Sequence, residues 1–339
     1  MLFAELNIVL RFKRPSVSHC ASLLETNSPL GNATFCLSLT AVWACRQIQL
    51  KNKLTLTIVP RWLLQLFVLD IVRLRAEKIG RKIDFTPFYL SPKIQPMEVF
   101  MEHKEGRFEG INSTQLYYQT WSPENLKGLV LIIHGYGEHS GRYMNVVDTL
   151  VPEGYSIWAL DHRGHGKSEG KRCHVNRFTD FIEDAAIFEE LARKAHPDLP
   201  VHVVGHSMGS LIANHYVSSR KEQRYQSLTL SGTGASPGPA ISGVTVALSK
   251  VLSALLPGLS IPSGLDPAFI SFDEAVVEAY INDPLVENKI TARLASEMMS
   301  SLPTMIPAAS GLQIPTMMQI GSEDESFHPD SWNNLFDAI

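Results

Sequence analysis

The feature that most constrains this chain is a pentad, Gly205-His206-Ser207-Met208-Gly209. A short apolar run at 201–204 precedes it, and a helical pattern at 208–219 follows it directly. A strand that passes into a helix through one serine needs a very tight turn. The serine takes a strained backbone, and glycine neighbours avoid collision. Its hydroxyl is then lifted above a sheet at a helix N-terminus, where partial positive charge favours an anionic intermediate. Ser207 is therefore the expected nucleophile.

The rest of the second two-thirds has the rhythm such a turn requires. Residues 106–111 and 114–121 read as strands joined at Asn112-Ser113, a plausible hairpin turn. Residues 129–133 form a short, continuously apolar run, as in a strand covered on both faces, and 155–160, 201–204, 227–230 and 316–320 are read as further strands of the same sheet. Between them, 178–195 carries Phe181, Ile182, Ala185, Phe188 and Leu191 at helical spacing. Alternating strands and helices predict an α/β fold with a mostly parallel sheet flanked by helices. The alternation stops at about 233–311, where 244–256, 273–281 and 290–301 read as helices. That stretch is read as a helical cap insertion.

Residues 1–100 differ in character. They carry 13 Lys+Arg against 6 Asp+Glu, whereas 101–339 carry 17 against 28. The expected organisation is therefore an N-terminal extension over 1–100, of unknown or non-native structure, and a catalytic domain over 101–339. No signal peptide is evident, because Arg11, Lys13 and Arg14 follow the first apolar residues. The apolar stretch 54–74 contains Pro60, Arg61, Asp70 and Arg73 and makes a poor spanning helix; 62–72 is read first as a buried or non-native segment, with a short helix lying on a membrane as the alternative. Cys20, Cys36 and Cys45 match no metal or redox spacing, and Cys173 alone lies in the catalytic part. A reducing, cytoplasmic setting is expected, and the net charge of −4 gives no sign of nucleic acid.

Three loops follow apolar runs and carry the remaining chemistry. In His134-Gly135-Tyr136-Gly137 the backbone matters most: the Tyr136 and Met208 amides are the expected oxyanion-hole donors. His134 is read as a structural histidine, and so are His162 and His165 in the loop 161–168, because in such folds the base follows the nucleophile. Asp324 follows the last apolar run and is the candidate to orient a base, with Glu323 as its rival.

The segments HGYGEHSGRY (134–143), ALDHRGHGKSEG (159–170), VVGHSMGS (203–210) and YINDPLV (280–286) together resemble the monoacylglycerol lipase and lysophospholipase group of α/β-hydrolases, over about 103–339. The resemblance implies a serine carboxylesterase on monoacylglycerols, lysophospholipids or similar single-chain esters. Ser207 would be the nucleophile, Asp324 the triad acid, and Tyr136 and Met208 the oxyanion hole. It also implies an apolar cap that admits an acyl chain, which Val244, Ala247, Leu248, Val251, Leu252, Leu255 and Leu256 would supply, although an ordinary packed helix explains the same stripe. In that group the catalytic histidine lies past a further helix and strand beyond the acid. Here Ile339 comes fifteen residues after Asp324, so the C-terminal strand and helix are expected to be missing and the sheet to end in an open edge. His328 is the only histidine after Asp324; it stands where the group has an ordinary loop and is not the expected base.

Two other readings stay open. One is a non-catalytic relative that binds a lipid-like ligand, which the missing histidine favours. The other is an aminopeptidase or thioesterase of the same fold, with Asp266, Asp273, Glu274 and Glu278 as candidate amine-binding groups in the cap. No metal or organic cofactor is required. The expected partner is a small lipid ester, with weak membrane-surface association compatible with such a substrate.

Overall fold

The computed structural model describes residues 8–13, 101–220, 224–238, 241–321, 324 and 326–339. The 54–74 stretch with its 62–72 helix, the three N-terminal cysteines and Glu323 lie outside the described residues. The strands are β1 (Ile8–Lys13), β2 (Met101–Glu109), β3 (Gln115–Pro123), β4 (Gly128–Ile133), β5 (Tyr155–Leu160), β6 (Val201–His206), β7 (Tyr225–Ser231), β8 (Ser260–Pro262), β9 (Lys289–Thr291) and β10 (Thr316–Gly321). The helices are α1 (Met144–Leu150), α2 (Thr179–Ala195), α3 (Met208–Ser218), α4 (Gly243–Leu255), α5 (Glu274–Asn282), α6 (Ala292–Ser301), α7 (Met305–Ala309) and α8 (Pro329–Ala338).

The main sheet runs β1-β10-β7-β6-β4-β5-β3-β2. Strands β5, β4, β6, β7 and β10 are mutually parallel. The hairpin β2–β3 joins antiparallel to β5, and its turn places Asn112 at φ 53 and Ser113 at φ 55. Asn is among the residues that reach this left-handed region most readily.

Every residue of β4 is buried. Leu129, Leu131 and Ile133 enter the core beside α2 and α3, while Val130 and Ile132 face the core around Val147 of α1. A strand covered on both faces has no polar side to alternate with, so it appears in the sequence as an unbroken apolar run.

The outer edge of β10 is not open. β1 pairs along it antiparallel, with Ile8 opposite Gly321 and Lys13 opposite Thr316. The expectation of an open edge is corrected by this pairing. The strand had no legible signal, because its ladder partner lies at the far end of the sequence and no alternation marks IVLRFK.

The loop after β5 is anchored from below. Arg163 donates from Nε to Asp184 Oδ2 at 2.6 Å and from a terminal nitrogen to Oδ1 at 2.8 Å. The Ile111 amide also donates to Asp184, at 3.0 Å, so one carboxylate joins α2, the hairpin turn and the loop. Burial pushes the Asp184 carboxyl up, and the Arg163 bonds only partly offset this. Asp184→Ala leaves the buried Arg163 without its partner and is expected to cost about 3–5 kcal/mol. The difference in urea denaturation midpoint from the parent chain measures it.

Candidate active site

Ser207 stands between the last residue of β6 and the first of α3 with φ 50 and ψ −119. Positive φ in a residue with a Cβ is strained, and it is held here by its surroundings. The Ser207 amide donates to the Ser231 carbonyl at 2.9 Å, and Ser210 Oγ donates to the Ser207 carbonyl at 2.6 Å. Both glycines of the pentad are required by close approach. A Cβ on Gly205 would overlap the Gly209 carbonyl, and one on Gly209 would overlap the carbonyl oxygens of Ile133 and His134. Helix α3 therefore starts directly against the end of β4. Ser207 itself is half-buried, and its Oγ has no hydrogen-bond partner among the described residues.

The loop after β4 touches the elbow. A Cβ on Gly135 would lie 3.2 Å from Ser207 Cβ and 3.3 Å from the His206 carbonyl oxygen. The Gly135 amide is taken by Glu138, whose Oε1 accepts it at 2.6 Å and also accepts Tyr143 OH at 2.8 Å. Burial pushes the Glu138 carboxyl up, but His206, His134 and these two bonds outweigh it and hold it below its ordinary value. The next amide, Tyr136, and the first amide of α3, Met208, have no backbone acceptor among the described residues. Glu138 gave no signal of this role in the sequence, where it reads as one acid in a polar loop.

Asp324 is half-buried after β10. Its Oδ1 accepts the Ser326 amide at 2.8 Å. A Cβ on Gly232, itself at φ 56, would lie 3.3 Å from His206 Cε1 and 3.9 Å from Asp324 Oδ2. The carboxylate therefore stands at the same edge of the sheet as the elbow. His328 does not join it: its Nδ1 accepts the Asp330 amide at 3.3 Å and caps α8. Among the described residues no histidine is hydrogen-bonded to Ser207 or Asp324.

The three histidines read as structural are buried in one cluster. The His162 amide donates to His134 Nε2 at 2.9 Å, so Nδ1 carries the proton and donates to the Gly135 carbonyl at 2.7 Å. Burial depresses all three, His165 to about 3. They are neutral props under the loops.

The cap meets the same edge. Thr291 donates its amide and hydroxyl to the Cys173 carbonyl, and Lys171 reaches the Gly258 carbonyl. The apolar stripe of α4 faces away from the protein: Val244 is 77% and Leu255 73% exposed, and Leu248, Val251 and Leu256 are exposed too. It is neither a packed stripe nor a pocket lining. Of the acids weighed as amine ligands, Asp266 and Asp273 cap short helices, and Glu274 and Glu278 are exposed.

The family model described as Serine aminopeptidase, S33 matches residues 124–339. The chain belongs to this family of α/β-hydrolases. The S33 chain is 37% identical to a monoacylglycerol lipase of Mycolicibacterium smegmatis over 222 residues, 65% of this chain and 79% of that one. It is 30% identical to human monoglyceride lipase over 211 residues, 62% of this chain and 69% of that one. Among solved structures, Paleococcus ferrophilus monoacylglycerol lipase superposes with a TM-score of 0.58 at 28% identity, covering 70% of this chain and 84% of that one. A soluble variant of monoglyceride lipase from Saccharomyces cerevisiae, in complex with a substrate analog, shares the fold with a TM-score of 0.61 at 21% identity, covering 72% and 84%.

Two outcomes follow for the S33 chain. Gly209→Ala is expected to lower the melting temperature by several degrees, because the added methyl has no room between α3 and β4; an unchanged melting curve contradicts the close approach. The buried histidines titrate near 6.5 when unfolded and lower when folded, because burial disfavours their charged forms. The unfolded state therefore binds more protons below about 6.5, so their contribution is present above that pH and is lost as pH falls toward about 3. A urea midpoint that stays flat between pH 7.5 and pH 5 contradicts this.

Proposed function

We propose that the chain is a serine carboxylic-ester hydrolase of monoacylglycerols and similar single-chain esters. Ser207 is the nucleophile, the Tyr136 and Met208 amides form the oxyanion hole, and Asp324 is the triad acid. The observation that carries this reading is Ser207 itself, a strained serine at a helix N-terminus beside a glycine loop with a free amide. The printed names of the relatives, monoacylglycerol lipase and monoglyceride lipase, support the substrate class.

Ser207 Oγ attacks the ester carbonyl carbon as its proton passes to a base. The carbonyl oxygen becomes anionic and is met by the two amides, each such donor being worth roughly 10²–10³ in rate. Collapse releases the alcohol and leaves an acyl-Ser207 ester, which water then cleaves. The peptidase reading has less support, because the cap acids that would hold an amine are helix caps or exposed side chains.

The same reading includes contact with a lipid surface from the cytoplasmic side. Val244, Leu248, Val251 and Leu255 recur at helical spacing on one exposed face of α4, and Lys250 is the only charge in that helix. Cys173 is a free buried thiol, pushed up to about 12 by burial, which suits a reducing compartment. Among the described residues no helix is long and apolar enough to cross a membrane.

One observation favours a second reading, a protein that binds lipid without cleaving it: no described histidine is bonded to Ser207 or Asp324. Fatty-acid release from a monoacylglycerol series separates the two. Turnover lost in Ser207→Ala supports the hydrolase. Fatty-acid binding with no turnover in a folded sample supports the binder. For the surface contact, Val244→Glu with Leu255→Glu is expected to reduce co-sedimentation with phosphatidylglycerol vesicles at least several-fold, since two exposed apolar side chains would no longer be buried in lipid. Unchanged co-sedimentation contradicts it.

A further inference from the structure

Two of the sequence segments that carry the family resemblance hold a residue with no part in the chemistry above: His139 in EHSGRY, after the glycine loop, and Asp283 in YINDPLV, at the end of α5. The fold brings them together. His139 Nε2 and Asp283 Oδ2 lie 2.8 Å apart, with side chains only 11% and 21% exposed. The Gly141 amide donates to His139 Nδ1 at 3.2 Å, so Nδ1 is an acceptor and the proton sits on Nε2. Nε2 donates to the Asp283 carboxylate.

A second bond lies beside the first. The Glu287 amide donates to the Gly137 carbonyl at 2.8 Å. Gly137 has φ 72, and a Cβ there would lie 2.5 Å from the Glu287 carbonyl oxygen, so the two backbones are in contact. Cap residues 283–287 thus grip the loop on both sides of Glu138. Glu138 turns inward between those grips and takes the Gly135 amide, leaving Tyr136 free. Asp283 is itself fixed, because its Oδ1 accepts the Leu285 amide at 2.9 Å.

We infer that Asp283 is a positioning residue: through His139 it clasps the cap to the loop 134–139 and so sets the direction of the Tyr136 amide toward Ser207. The significance of that amide rests on the hydrolase reading; the clasp itself does not. Asp283 touches no reacting atom. Its effect is to hold a donor whose misplacement by about 1 Å costs on the order of 10² in rate.

Amide hydrogen exchange of the full chain tests the clasp without requiring turnover. In Asp283→Ala, exchange across 134–141 is expected to rise roughly 10-fold or more, as well as in 283–289, because two anchored segments are freed together. His139→Gln is expected to give the same pattern, and the double variant no more than either single one, as for two ends of one bond. Asp283→Asn keeps an acceptor oxygen and is expected to restore most of the protection. Glu278→Gln, exposed on α5, controls for charge loss in the cap. Where the parent chain turns over ester, Asp283→Ala is also expected to lower kcat more than it raises KM. Faster exchange confined to 283–289 overturns the proposal, and so does faster exchange at 134–141 with an undiminished kcat. If the parent chain shows no turnover, the hydrolase reading fails and exchange alone decides the clasp. If Asp283→Ala does not fold, His139→Gln and Asp283→Asn carry the comparison.

Discussion

The contact between the start of α3 and the end of β4 governs the rest of the structure. Gly209 lies against the carbonyl oxygens of Ile133 and His134, where no side chain fits. That approach forces Ser207 to φ 50, which for a residue with a Cβ costs on the order of 1–3 kcal/mol. The strain persists because the flanking strands cannot move. β4 and β6 are parallel neighbours, β6 also pairs with β7, and the Ser207 amide is bonded to the end of β7. The same approach carries the loop after β4 past the serine. The strained serine and the unpaired amides beside it therefore come from one packing constraint, and the two glycines are what the sequence contributes to it.

A second layer of buried polar groups holds the loops at that edge. His134, His162 and His165 are neutral because burial disfavours their charged forms. Glu138 stays charged among donors. Asp161 accepts amides from Ser140 at 2.7 Å and Lys167 at 2.8 Å, joining the loops after β4 and β5. Most of the histidines near the site are thus occupied in holding backbone. His206 is the exception: its Nδ1 lies 3.3 Å from the Ser231 side-chain Oγ, and its charge helps to hold Glu138 ionised. Breaking a buried hydrogen-bonded network of this kind is costly, so it fixes the loops firmly.

The parts of the fold that were legible in the sequence are those where burial writes a local pattern. β4 and β5 appear as apolar runs because both faces are covered, and α2 shows helical spacing because one face is. Ser207 was legible because its turn needs glycine on either side. Where structure depends on distant partners, the pattern fails. β1 pairs with a strand at the opposite end of the chain, and α1 is a short helix continuing a 3-10 turn. The sequence of α4 has helical spacing, but periodicity does not say which side a stripe faces, and here it faces outward. The bond from His139 to Asp283 spans 144 residues of sequence and left no local trace. The choice of Asp324 rests on its place after the last parallel strand and on the family likeness.

The most direct test of the central claim is to look for the acyl group on Ser207. The folded chain is mixed with a short-chain p-nitrophenyl ester or a monoacylglycerol, quenched in acid, digested and weighed by mass spectrometry. An acyl mass on the peptide carrying Ser207, absent from Ser207→Ala, is the expected result. A folded chain that binds the lipid while its Ser207 peptide stays unmodified contradicts the account and makes this a lipid-binding protein on a hydrolase fold.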